Sequence, residues 1–150
     1  VASSAAGLQM LLPAIVFIVA ACLAFATGTS WGTFGILIPI CIAVFPVAAP
    51  LRIISISACM AGAVCGDHIS PISDTTIMAS AGAECKHVHH VSSQLPYALT
   101  VAGVSFLTFV VAGLTQGMGL MASAAISWIS GIILLIVALT ILKRIKCKKE

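Results

Sequence analysis

Long apolar runs separated by short polar breaks make up the pattern of this chain. Residues Gln9–Ala26 are apolar and long enough for a helical arm of about 25 Å. They end at Thr27-Gly28-Thr29-Ser30-Trp31-Gly32-Thr33, where two glycines and four hydroxyl residues predict a helix break. A second apolar arm, Phe34–Phe45, carries Pro39 and closes at Pro46 and Pro50. Leu51–Cys65 predicts the next helix, with Arg52 as a snorkelling anchor at its start. The stretch Gly66–Asp74 interrupts that helix, and Thr75–Ala83 resumes it as a short piece, so both pieces form one broken crossing.

The polar run Glu84–Gln94 reads as a loop, and Pro96 suits the first turn of a helix from about Tyr97 to Thr115. After Gln116-Gly117-Met118-Gly119, the wholly apolar Leu120–Leu142 is the clearest membrane span. Each arm within residues 10–46 is short or marginal against the roughly 20 apolar residues that a crossing needs. Two topologies therefore fit: two full spans, or a re-entrant hairpin whose glycine-rich tip lies near the midplane. Non-helical backbone at that depth requires cover from protein or a watery cavity.

Composition settles the solvent. The 150 residues are 61% hydrophobic and 7% charged, against roughly a quarter charged in a soluble domain. Too few charges remain to clothe a water-facing surface, so the fold class is an all-α polytopic membrane protein. The chain opens on Val1 and a weakly polar run, which reads as the C-terminal portion of a longer protein. Residues 10–26 resemble a signal-peptide core, but no basic residue precedes them and equally apolar segments follow.

Five of the seven basic residues fall in Lys143–Glu150, directly after the last span. This positive-inside signal predicts a multi-pass protein of the cell membrane with a cytoplasmic tail, 143–150. Counting back puts the 116–119 turn outside, the 84–96 loop inside and the 46–51 turn outside. No folded basic face accompanies the tail, so nucleic acid is not an expected partner. The lipid bilayer is, and assembly into a homo-oligomer is left open. Cys22, Cys41, Cys59 and Cys65 lie in apolar runs and read as reduced packing residues.

Chemistry concentrates in Gly66-Asp67-His68-Ile69-Ser70-Pro71-Ile72-Ser73-Asp74-Thr75-Thr76. An ionisable side chain inside a span costs about 2.5–3.5 kcal/mol at the helix centre on insertion scales, so Asp67 and Asp74 need a function. Pro71 lacks an amide hydrogen and should free the Asp67 carbonyl one turn earlier. Carbonyls, half-helix ends and two carboxylates in one place are the oxygen ligands of a hard cation. The plainer reading is that Asp74 caps the helix piece that begins at Thr75. Thr29 and Ser30 offer neutral oxygens, Trp31 reads as a packing residue, and His68 is either a proton carrier or a hydrogen-bonded helix-end residue. Cys85, His87, His89 and His90 lack the spacing of a closed tetrahedral metal site. Ser70 and Ser73 near His68 do not amount to an activated nucleophile.

The stretches Gly28–Gly35 and Gly66–Thr76, together with Gln94-Leu95-Pro96-Tyr97-Ala98-Leu99, resemble the NhaC-type sodium/proton antiporter family over about residues 8–115. The resemblance implies an inverted-repeat secondary transporter, not an enzyme, with no cofactor beyond the transported Na⁺ and H⁺. It implies a re-entrant hairpin at about 10–46, facing an unwound segment within the broken helix of about 51–83. Helices of about 97–115 and 120–142 follow, and the first repeat would lie in a missing N-terminal part. The implied site has Asp67 and Asp74 alternating between protons and sodium, with oxygens from Thr29, Ser30, Ser73, Thr75 or Thr76 completing the shell. Some members of that family exchange organic acids or amino acids instead, which keeps a small organic anion or amino acid open as cargo. A third reading, a membrane subunit with packing helices only, leaves both aspartates without a purpose.

Overall fold

The computed structural model describes residues 2–47 and 49–147, and these form six α-helices with no strand among them. In order they are α1 (Ala2–Thr27), α2 (Ser30–Val44), α3 (Pro50–Ile69), α4 (Asp74–Gly82), α5 (His87–Thr115) and α6 (Leu120–Cys147), with a 3₁₀ turn over Gln116–Met118. Four of them, α1, α3, α5 and α6, are long and apolar enough to cross a membrane. The protein is thus a multi-pass membrane protein.

Small residues on α3 govern the packing. Gly62 and Gly66 bring its backbone against α1: a methyl on Gly62 would strike the Phe17 carbonyl oxygen, and one on Gly66 the Ala21 carbonyl oxygen. Ala58, Gly62, Gly66 and Ser70 fall at four-residue spacing and are all buried, the stripe that lets membrane helices approach closely. The pairings Phe17–Gly62, Ala21–Gly66 and Phe25–Ser70 ascend together, so α1 and α3 run parallel. Between them in sequence, α2 runs the other way, with Ser30 bonded to Asp67 and Cys41 in one buried cluster with Cys59. Its 15 residues give about 22 Å, less than the roughly 30 Å of a hydrocarbon core.

α5 returns antiparallel along α1 and α3. Gln94 meets the His68 carbonyl at one end, while Gly113 lies against the Met10 carbonyl at the other. Phe17 and Phe109 stack between α1 and α5 with ring centroids 5.6 Å apart. Ser123 ties α6 to α5 by donating to the Ala112 carbonyl at 3.2 Å.

Several helix limits differ from those the polarity pattern predicts. Only Gly28 and Thr29 lie between α1 and α2, since Ser30, Trp31, Gly32 and Thr33 belong to the helix. α3 begins at Pro50, suited to a first helical position, and runs unbroken through Gly66–Ile69. The interruption is confined to Ser70–Ser73, where the ring of Pro71 forces Ser70 into an extended conformation (φ −72°, ψ 129°).

α5 starts at His87 rather than near Tyr97 and holds Pro96 in its interior. α6 continues through the basic residues as far as Cys147, while residues 148–150 of the tail lie outside the described residues. In both cases polar residues mark where the helix leaves the apolar slab, not where it ends. Trp31 is 82% exposed and touches Phe34 edge-on, so on this chain it packs little.

Candidate ion-binding site

The break in α3 faces the tip of the α1–α2 hairpin. Gly28 makes that tip possible with φ +66°, and a side chain there would lie within 3.0 Å of the Ile72 backbone. Thr29 caps α2 by accepting from the Gly32 amide at 3.4 Å, which presents Ser30 to α3. From the other side, the extended Ser70 donates its hydroxyl to the Phe25 carbonyl at 2.8 Å and pins the break to the end of α1.

Asp67 sits at the centre of this contact and is 5% exposed. Ser30 Oγ donates to its Oδ2 at 3.1 Å, and Ser73 Oγ to its Oδ1 at 2.6 Å. Ser73 is itself fully buried and lies 2.7 Å from Thr75 Oγ1. Each oxygen of this buried carboxylate thus faces a hydroxyl donor. The nearest cation on the same helix, Arg52, is fifteen residues away, about 22 Å along the axis.

The predicted site residues divide accordingly. Asp67, Ser30, Ser73 and Thr75 form one hydrogen-bonded network. Asp74 stands outside it: it is exposed, in the first turn of α4, and its Oδ1 accepts from the Thr75 amide at 2.8 Å. The N-cap of α4 is Ser73, one residue earlier than expected. Thr76 Oγ1 donates to the His68 carbonyl at 3.3 Å, and Thr29 stays in its capping role. The His68 ring turns back onto the Val64 carbonyl at 3.1 Å on the exposed side.

The Asp67 carbonyl, expected to be free, accepts a hydrogen bond, and so do those of His68 and Pro71. Ser70 N donates to Asp67 O at 3.1 Å, closing a tight turn in place of the lost helical bond. Gln94 Nε2 donates to His68 O at 2.6 Å, and the His87 ring is 2.7 Å from Pro71 O. Gln94 and His87 are thus supports of the site that were not among the expected site residues, because their partners lie 26 and 16 residues away. Among the described residues no three His, Cys, Asp or Glu gather as a metal cluster, and His87 is engaged with Pro71 and Ser80.

Two apolar cavities of about 440 and 580 Å³ lie elsewhere, one between α3, α5 and α6 and the other between α1, α3 and α5; neither is lined by Asp67.

Discontinuous helices, with half-helix ends and unwound backbone at the break, are how many secondary transporters build ion sites. The chain belongs to the Na⁺/H⁺ antiporter family, whose family model matches residues 1–114. It is 54% identical over 120 residues to an uncharacterized protein of Haemophilus influenzae, covering 79% of this chain and 23% of that protein. It is 32% identical over 116 residues to the malate-2H(+)/Na(+)-lactate antiporter of Bacillus subtilis, covering 74% of this chain and 25% of that protein. It is 34% identical over 120 residues to the arginine/ornithine antiporter ArcD of Halobacterium salinarum, with 75% and 24% covered. The chain thus spans about a quarter of the length of the curated relatives it matches. No solved structure matches it.

Proposed function

We propose that this chain is the C-terminal part of a longer, NhaC-type secondary antiporter that exchanges Na⁺ for H⁺. The observation that carries the reading is Asp67, buried at a helix break with each carboxylate oxygen facing a hydroxyl. Such a group can hold a proton or, with the Ser30 and Ser73 oxygens, a desolvated sodium ion, but not both. That competition couples the two fluxes, provided the site crosses only when occupied. No cofactor takes part. In this reading the α1–α2 hairpin enters and leaves by one membrane face and the basic tail is cytoplasmic. The remaining transporter, N-terminal to this segment, covers the exposed face of the hairpin tip. The localisation is the cell membrane, and self-association into a homo-oligomer is compatible with it.

The test is Asp67→Asn in the full-length protein, reconstituted in vesicles with a pH-sensitive dye. Sodium-driven proton movement should be lost, and an unaltered rate would refute the assignment.

A second reading is favoured by the relatives, whose names include a malate/lactate and an arginine/ornithine exchanger. On the same scaffold, the carboxylate would bind the coupling ion while a small organic anion or amino acid is the cargo. Counterflow of a labelled organic acid, dependent on sodium or protons and without net cation/proton exchange, would select this reading.

A further inference from the structure

A line of hydroxyl groups leads from the exposed face of α4 to the buried carboxylate. Thr75 is exposed, Ser73 is fully buried and Asp67 nearly so. The two steps measure 2.7 Å from Thr75 Oγ1 to Ser73 Oγ and 2.6 Å from Ser73 Oγ to Asp67 Oδ1. A hydroxyl carries one proton and an ionised carboxylate only accepts. Ser73 therefore gives its proton to the bond with Asp67, and Thr75 must be the donor to Ser73. Protonation of Asp67 at Oδ1 reverses the line: Asp67 donates to Ser73, Ser73 donates to Thr75, and the Thr75 proton points outward. Both states are satisfied by hydroxyl rotation alone, with no movement of a heavy atom. The other carboxylate oxygen, Oδ2, faces Ser30 on the hairpin tip and has no part in the line.

We propose that Thr75 and Ser73 form a proton relay to Asp67 Oδ1, so that protons reach the carboxylate by a route distinct from the Ser30 side. The transfer balances. Hydronium at the exposed end gives a proton to Thr75 Oγ1, Thr75 passes its own to Ser73 Oγ, and Ser73 passes its own to Asp67 Oδ1. Three O–H bonds form and three break, leaving water and a neutral Asp67. The exposed Asp74 carboxylate holds the Thr75 amide at 2.8 Å and places negative charge beside the outer end, where it raises the local proton concentration.

This inference rests on the antiport reading, and two exchange assays on the full-length protein in vesicles separate them. One follows sodium-driven proton movement; the other follows labelled sodium against unlabelled sodium, which needs no proton. Thr75→Val keeps the side-chain shape and removes the hydroxyl. It should slow the proton-coupled exchange by about tenfold or more and lower sodium–sodium exchange by a much smaller factor, and Thr75→Ser should restore both. An unchanged proton-coupled rate in Thr75→Val would overturn the relay. So would an equal fall in both assays, which would make Thr75 a sodium ligand or a structural residue. A native protein inert in both assays would instead refute the antiport reading itself.

Discussion

Replacing Gly66 by alanine tests the packing on which the site depends. The added methyl would strike the Ala21 carbonyl oxygen and lie 2.8 Å from the Ala21 carbonyl carbon and 2.9 Å from the Phe25 amide nitrogen. All three are backbone atoms of α1, so no side chain can swing aside, and α1 and α3 must part by roughly 1 Å to restore ordinary contact. Overpacking of this kind costs about 1–3 kcal/mol. The better helix propensity of alanine returns at most about 1 kcal/mol, which, returned in full, leaves a net loss of up to about 2 kcal/mol. The same 1 Å would stretch the Ser70–Phe25 bond from 2.8 Å and the Ser30–Asp67 bond from 3.1 Å beyond hydrogen-bonding range.

Cys59, fully buried in the cluster with Ala20 and Ala24, reports the separation. Its labelling by a permeant maleimide, read by peptide mass spectrometry, should speed up by up to about 30-fold, and the proposed exchange by the full-length protein should fall in parallel. Gly103→Ala in α5 is the control, because a methyl there meets nothing within 4 Å. If Gly66→Ala labels like the native protein and Gly103→Ala, the α1–α3 interface does not hold the site together.

Two further outcomes follow from single side chains. Ser55 is fully buried in α3 and its hydroxyl has no hydrogen-bond partner among the described residues, so Ser55→Ala should raise the thermal midpoint in detergent, by about 1 kcal/mol of stability. A lowered midpoint would mean that the hydroxyl serves a partner outside this segment. His87→Ala removes the ring bridging Pro71 O and Ser80 Oγ, so amide exchange at Ile72 and Ser73 should quicken about fivefold or more. Unchanged exchange there would show that the break is held by Ser70 and Gln94 without it.

Much of the fold was legible in the order of residues, for a simple reason. In a bilayer every backbone polar group must be satisfied within the chain, so a long apolar run has little choice but to be a helix. Leu120–Leu142 and Leu51–Cys65 were readable on that ground, and α6 and α3 contain them. The interruption near Pro71 was readable too, because a proline ring restricts the residue before it wherever it stands. The helix limits were not: Glu84–Gln94 looks like a loop by polarity, yet most of it forms the first turns of α5.

The site divides in the same way. That Asp67 and Asp74 both needed explaining followed from the cost of charge in hydrocarbon. Which of them is enclosed did not, because the two carry the same side chain seven residues apart. The difference lies in which side of the broken helix faces α1 and α2. Gly62 and Gly66 set that face by letting α3 lie against the α1 carbonyls, and the positive φ of Gly28 turns the chain so that Ser30 meets Asp67. Contacts between residues 37 positions apart depend on the register of two helices, and register is a property of packed surfaces. Polarity along the chain marked the residues that need a partner; the packing of α1, α2 and α3 decided which of them found one.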